Sequence, residues 1–166
     1  MDDASGTLAE LKVAMENEGV VKSRDDFNVG DIVYQNMDRN DGLTLKKGYD
    51  TRYKIFVIVG KKSNGETVGM CLINSEFKGN EEKQRYQYII KKADYPDVEK
   101  LTKDSPLDCS QLFPIDARKS IAVKAKVIGH LTSEDEANVI SLVASCDFIS
   151  AKDKKRFHIG EVAITQ

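Results

Sequence analysis

The chain has 166 residues, of which 40% are hydrophobic and 31% charged, and its formal net charge at pH 7 is −2. This length corresponds to one domain with a short appended segment, and the composition is typical of a folded, water-soluble protein. No stretch approaches the roughly 18 consecutive apolar residues of a membrane-spanning helix, and the acidic start MDDASGTLAE is unlike a signal peptide. We therefore expect a cytoplasmic protein with no membrane partner.

Cysteine and histidine are too sparse for a disulfide framework or a metal cluster. The three cysteines (Cys71, Cys109 and Cys146) are far apart and form no C-x-x-C pair, and there are only two histidines, His130 and His158. This pattern indicates a reducing compartment and predicts neither a metal nor a cofactor. We expect the cysteines to be small core residues and His130 to have a structural role.

Charge is distributed unevenly along the chain. Residues 1–26 carry seven acids against three bases, whereas residues 39–54 carry five bases against two acids. Residues 93–110 are acidic again, with five acids against two lysines. The net charge excludes a uniformly basic nucleic-acid binder, but the basic segment is compatible either with a local polyanion site or with an ordinary solvated face.

The first half of the chain predicts a short helix followed by three strands. Thr7 and Glu10 have capping-box spacing, which starts a helix that ends near Gly19. Residues 29–34 (VGDIVY) predict a strand, residues 36–48 a long loop, and the apolar run 55–59 a buried strand. Asn64-Gly65 is a strong hairpin signal and predicts a return strand over residues 68–73.

The second half predicts further short strands and a second helix. Strands are expected at residues 86–90, at 121–128, where apolar and polar residues alternate, and at 157–164. Residues 91–108 are expected to be a loop, residues 112–115 a short apolar piece broken by Pro114, and a helix of about four turns starts at Ser133. The predicted fold is mostly β: a small antiparallel barrel or curled sheet with a helix near each end.

Two stretches of the sequence, taken in order, resemble the MazF/PemK-like toxin family. Residues 29–34 (VGDIVY), followed by a long loop and residues 48–54 (GYDTRYK), are similar to the family's GDIV strand and its loop that ends in arginine. Residues 108–116 (DCSQLFPID) and 128–135 (IGHLTSED) are similar to the stretch that precedes and opens the family's last helix. The resemblance spans about three quarters of the chain.

This resemblance implies an SH3-like barrel and a specific activity. The chain divides into an N-terminal helical arm (1–26), a MazF/PemK-like barrel with its C-terminal helix (27–148), and a tail with a possible extra strand (149–166). The family members are bacterial toxins of toxin–antitoxin pairs. The expected function is a cytoplasmic, metal-independent endoribonuclease that acts on single-stranded RNA. Its expected partners are single-stranded RNA, an antitoxin protein and a second copy in a homodimer.

Candidate site residues follow from the matched positions and from the basic segment. Arg52 matches the family's loop arginine and is a candidate catalytic residue, because guanidinium offers planar donors to phosphate oxygens. Ser75 is the second catalytic candidate, with Asn74 competing for the family's hydroxyl position. Basic residues interleaved with tyrosines suggest contacts to the RNA backbone and bases, made by Lys46, Lys47, Tyr49, Tyr53 and Lys54.

Two alternatives remain open at this point. Tyr53 and Phe113 stand where the family has proline and a basic residue, so the alternative is a non-catalytic SH3-like barrel that binds a protein or nucleic acid. Arg52 then pairs with Asp50 or with a loop carbonyl. The acidic N-terminal helix (residues 7–18) is also a candidate internal mimic of an antitoxin, placed over the basic loop.

Overall fold

A computed structural model describes residues 8–11, 18–41, 45, 48, 51–77 and 79–160. Its framework is one six-stranded antiparallel sheet in the order β4-β5-β3-β2-β1-β6. The strands are β1 (Asp31–Asp38), β2 (Thr51–Lys61), β3 (Thr67–Ile73), β4 (Gln87–Ile90), β5 (Ser105–Asp116) and β6 (Lys126–His130). This confirms the predicted mostly-β antiparallel fold, although the sheet is open, with β4 and β6 as its edges.

Short helices join and cover the strands. They are α1 (Glu81–Gln84), α2 (Ala117–Ala122), α3 (Ser133–Ser145) and α4 (Ala151–Arg156), with single 3-10 turns at Arg24–Asp26, Arg39–Asp41 and Lys92–Asp94. Residues 8–11 are helical and residues 18 and 19 form a turn, while residues 7 and 12–17 of the predicted N-terminal helix lie outside the described residues. Within the described part of the chain, none of these helices has the length and apolar character to cross a membrane.

The sheet carries a hydrophobic core on each face, because successive side chains of a strand alternate between faces. On β2, Val57 and Val59 belong to the core that α3 covers through Val139 and Val143. Their neighbours on the same strand, including Phe56, belong to the opposite core. Bulges in three strand pairs bend the sheet: β1–β6, β2–β3 and β3–β5.

The sequence motifs at the start of β1 and at the hairpin have clear structural reasons. Gly30 has φ of +94°, and a Cβ there would lie 2.1 Å from Glu136 Oε1, so this position requires glycine. Asp31 accepts a hydrogen bond from the Asn28 N–H at 2.8 Å, which shapes the entry to β1. Gly65 has φ of +70° and turns β2 into β3, which confirms the predicted hairpin.

Three predicted elements are wrong. Residues 121–125 are not strand and only residues 126–128 of the predicted element belong to β6, because the Asp116 side chain caps α2 by accepting from the Arg118 N–H at 2.8 Å, and Lys124 with φ of 56° then reverses the chain. β6 continues through Gly129 instead of ending there. Residues 157–160 form a turn after α4 rather than a strand, and residues 161–166 lie outside the described part.

The third error concerns β5, where a loop and a broken piece were expected. The structure has one strand of 12 residues that contains Pro106 and Pro114. Pro114 pairs with Gly69 of β3, while β4 pairs with β5 only at residues 105–108. Pro114 therefore sits where one side of β5 has no strand neighbour, which is the kind of position where sheets tolerate proline.

Candidate functional site

A groove of about 310 Å³ lies where β2 begins and β3 ends. Three parts of the chain line it: β1 with the start of β2, the end of β3, and the connection that leads into β5. The lining residues are Tyr34, Arg52, Tyr53, Lys54, Ile55, Ile73, Asn74, Ser75, Lys100, Leu101, Thr102, Lys103 and Ser105. Four predicted site residues, Arg52, Tyr53, Lys54 and Ser75, therefore meet at one groove.

The other three predicted residues, Lys46, Lys47 and Tyr49, lie outside the described residues. They belong to the connection between β1 and β2, which enters β2 at Thr51, next to Arg52. Their predicted contacts to RNA stay predictions.

Strand register explains how Arg52 and Ser75 come together. Ile55 of β2 pairs with Ile73 of β3. Ser75 lies two residues past Ile73, beyond the end of β3, and Arg52 lies three residues before Ile55, so the antiparallel hairpin brings both to the same end of the sheet. Two positions so far apart in sequence are thus juxtaposed by the β2–β3 hairpin.

Asn74 and Ser75 differ in accessibility. Asn74 is buried, with 6% of its surface exposed, and its backbone N–H donates to the Pro106 carbonyl at 2.9 Å. Ser75 is exposed. The hydroxyl accessible from solvent at the end of β3 is therefore that of Ser75.

The groove is cationic. Arg52, Lys54, Lys100 and Lys103 line it, and no carboxylate occurs among its described lining residues. Lys100 and Lys103 were not predicted from the sequence as site residues, because residues 93–110 carry a net negative charge. One of the acids in that segment, Asp104, accepts a hydrogen bond from the Lys92 N–H at 2.8 Å instead of lining the groove.

An aromatic stack forms part of the groove wall. The rings of Tyr34 and Tyr53 lie 5.0 Å apart between centroids, with 17° between their planes. Lys100 Nζ lies 4.8 Å from the centroid of Tyr34. Tyr34 was not predicted as a site residue, and it reaches Tyr53 because Tyr53 pairs with Asn36, two positions further along β1.

An ion-pair cluster holds the chain where β1 leads toward the predicted basic loop. Lys119 of α2 donates to Asp38 at 3.0 Å and to Asp41 at 2.5 Å. Burial disfavours the Lys119 ammonium, but its hydrogen bonds to Asp41 and Asp38 outweigh that cost and raise the pKa of Lys119. The hydrogen bond from Lys119 likewise lowers the pKa of Asp38.

Neither histidine lines the groove. His130 is hydrogen-bonded through Nδ1 to Asp31 at 2.9 Å and through Nε2 to Glu136 at 2.8 Å. The hydrogen bond to Asp31 raises the pKa of His130 despite partial burial, and the bond to Glu136 adds to this. His158 Nε2 lies 2.8 Å from Ser63 Oγ, near the opposite end of β2.

None of the cysteines lines the groove, and no metal-binding cluster occurs among the described residues. All three cysteines are buried, and burial raises the pKa of Cys71 and Cys109, which leaves their thiols protonated and unreactive. No group of three or more His, Cys, Asp or Glu in the described ranges is placed to hold a metal ion. The groove can therefore offer cationic donors, hydroxyls and an aromatic ring to a ligand.

Comparison with known proteins gives a distant structural likeness. No protein-family model and no curated protein matches the chain. Among solved structures, the fold is similar to a chain of the crystal structure of MazE-MazF (Form-II) from Deinococcus radiodurans. The TM-score is 0.46 at 11% sequence identity, over 72% of this chain and 92% of that chain. The function must be argued from the groove itself.

Proposed function

We propose that the protein is a metal-independent endoribonuclease that cleaves single-stranded RNA in this groove, as its resemblance to MazF/PemK-like toxins implies. The observation that supports this is the placement of Arg52 and the exposed Ser75 in one groove lined by four cations and by no described carboxylate. A groove rich in cations attracts a polyanion, whereas an acidic residue among them would repel it.

The proposed reaction needs no group beyond the RNA and the protein. The 2′-oxygen attacks the adjacent phosphorus, the bond from phosphorus to the 5′-oxygen breaks, and a 2′,3′-cyclic phosphate and a 5′-hydroxyl result. Solvent accepts the 2′ proton and supplies the one that the 5′-oxygen takes up. Arg52 and Ser75 donate to phosphate oxygens as negative charge accumulates on them.

The remaining groove residues bind the strand. Lys54 lines the groove beside Arg52, and Lys100 and Lys103 add two further cations. Lys46, Lys47 and Tyr49 extend this surface along the β1–β2 connection in the proposal. The same resemblance implies a homodimer and an antitoxin protein that blocks the groove. Light scattering tests the homodimer, and co-expression with a candidate partner tests the antitoxin.

The activity test uses a labelled single-stranded RNA at low salt with EDTA. We expect the protein to cleave it, and Arg52→Ala to reduce the rate by at least about 100-fold because a charged donor to the transition state is lost. Arg118→Ala is the matched control, since Arg118 is exposed and pairs with Asp116 away from the groove. Intact RNA with the unmodified protein, or equal rates for Arg52→Ala, would reject the activity.

A second candidate function is binding of single-stranded nucleic acid without cleavage. The observation in its favour is that no histidine or carboxylate lines the described groove, so no side chain there is an evident general base. Saturable binding of an RNA that stays intact over hours supports this alternative. Rapid strand scission that Arg52→Ala abolishes excludes it.

A further inference from the structure

We propose that Tyr53 is a preformed stacking platform for one unpaired nucleobase, and that Tyr34 and Lys100 hold it in position. This inference rests on the proposed function in one respect, namely that the groove takes a single nucleic-acid strand. It gives the base contact expected of Tyr53 a defined geometry, in which Tyr34 and Lys100 support the ring. It also gives Lys100 a positioning role in place of a simple phosphate contact.

The geometry of the two rings carries the proposal. Tyr53 is 54% exposed, yet its ring is nearly parallel to that of Tyr34, 17° between planes and 5.0 Å between centroids. One face of Tyr53 is therefore covered by a half-buried ring, and the opposite face is open to solvent in the groove wall. A ring fixed before the ligand arrives loses little conformational freedom on binding.

Lys100 completes the arrangement from a distant part of the chain. Its Nζ lies 4.8 Å from the Tyr34 centroid, within the range of a cation–π interaction. Its neighbours Val98 and Leu101 are buried in the core, which fixes the backbone that carries Lys100. Tyr34 is thus held by β1, by Tyr53 and by this ammonium together.

The ligand chemistry follows from the side chains. Every nucleobase has a flat π surface, so any of the four bases can stack on an exposed tyrosine. The surrounding cations bind the adjoining phosphates. Bases in a duplex are already stacked on their neighbours, and inorganic polyphosphate has no base. The subsite therefore selects unpaired nucleotides over both.

The test measures the Kd of a short 2′-O-methyl oligonucleotide, which lacks the attacking 2′-hydroxyl and stays intact. A second oligonucleotide of the same length carries abasic sites in place of its central bases. We expect Tyr53→Leu to weaken binding of the intact oligonucleotide by about 10-fold and that of the abasic one by less than about 2-fold. Tyr53→Phe, which keeps the ring, should bind within about 3-fold of the unmodified protein.

The matched control lies elsewhere on the surface. Phe148 is 44% exposed, forms a T-shaped pair with Tyr86, and has Lys83 Nζ 5.5 Å from its centroid. Like Tyr53, Phe148 is an exposed ring beside a second aromatic ring and a lysine, but the two rings are not parallel and lie outside the groove. Phe148→Leu should therefore leave both Kd values unchanged. Equal losses for the intact and abasic oligonucleotides in Tyr53→Leu, or no loss, would overturn the proposal.

Lys100→Met separates positioning from charge. If Lys100 positions the rings, the substitution weakens binding of the intact oligonucleotide more than that of the abasic one. Equal weakening of both would show a phosphate contact alone and would overturn its positioning role. Binding of the uncleavable oligonucleotide is measured independently of cleavage, so the two proposals can fail separately. If Tyr53→Leu weakens binding as expected but the unmodified protein does not cleave RNA, only the proposed function is rejected. If the protein cleaves RNA but Tyr53→Leu binds the oligonucleotide normally, only this inference is rejected.

Discussion

Ser75 and Asn74 are neighbours in the chain, but only Ser75 is exposed to solvent. Asn74 is buried and its N–H is bonded to the Pro106 carbonyl, whereas Ser75 is exposed at the groove. A hydroxyl that donates to a phosphate oxygen mainly in the transition state affects the rate more than the affinity.

We therefore predict that Ser75→Ala slows RNA cleavage by about 10-fold to 100-fold while the Kd for the uncleavable oligonucleotide changes less than about 2-fold. Ser75→Thr should keep most of the rate, because it keeps a hydroxyl. Ser145→Ala is the control, since that serine is exposed on α3 and donates to the Leu142 carbonyl. Single-turnover kinetics measure the rate; a loss that appears entirely in Kd would contradict this prediction.

The residues that sequence reasoning found and missed differ in a simple way. Arg52, Tyr53 and Lys54 are consecutive, so their clustering is visible in the chain. Tyr34 and Lys100 are 66 positions apart in the sequence and meet only because β1 lies beside the start of β2, next to the core that fixes the backbone around Lys100. No local pattern marks that contact, and the acidic character of residues 93–110 points away from it.

At the scale of elements, a helix cap at Asp116, and not the alternation of apolar and polar residues, decided how the chain folds after β5. Residues 121–128 alternate like a strand, but Asp116 caps a helix five residues earlier and Lys124 reverses the chain, so only the last part of the stretch joins β6. The buried run 55–59 and the Asn64-Gly65 turn were predictable, because their local signals agree with the packing on both faces. The prolines within β5 could not be predicted to lie in a strand, because whether a strand accepts proline depends on which strands pair with it.

The cluster around Lys119 is the element-scale feature with a measurable consequence. Lys119→Met leaves Asp41, whose side chain is 6% exposed, without its cation. We predict a loss of about 1 to 2 kcal/mol in the free energy of unfolding, toward the low end for a charged hydrogen bond because Lys119 is 30% exposed. Urea denaturation measures it.

A second substitution checks the cause of that loss. Adding Asp41→Asn to Lys119→Met removes the uncompensated carboxylate, so the double variant should be more stable than Lys119→Met alone. Equal stability of the two would show that Lys119 acts through packing of its aliphatic chain and not through the ion pair.

For the whole molecule, the net charge of −2 conceals a separation of charge that only the fold creates. Cations from β2 and from the acidic segment 93–110 converge on one groove, while one acid of that segment, Asp104, is held by a backbone N–H. The net charge of residues 39–54, summed along the sequence, correctly indicated a basic contribution to the groove. The net charge of residues 93–110 is negative, although Lys100 and Lys103 of that segment line the groove. A folded surface, and not a stretch of sequence, decides what a polyanion meets.

His130 links three parts of the molecule and makes its stability depend on pH. It joins its own edge strand β6 to Asp31 of β1 and to Glu136 of α3, and these hydrogen bonds raise its pKa above the ordinary value of 6.5. A raised pKa in the folded state means that the stabilisation is fully present below about pH 6.5 and is lost as the pH rises through the folded-state pKa.

We therefore predict that the Tm advantage of the unmodified protein over His130→Gln is largest near pH 6 and shrinks as the pH is raised toward 9. Because the His130 side chain is 50% exposed, added salt should also reduce the difference at pH 6. Differential scanning fluorimetry across this range measures it, with His158→Gln as the control for the only other histidine. Parallel Tm curves for the unmodified protein and His130→Gln would show that the imidazole does not carry its charge into these contacts.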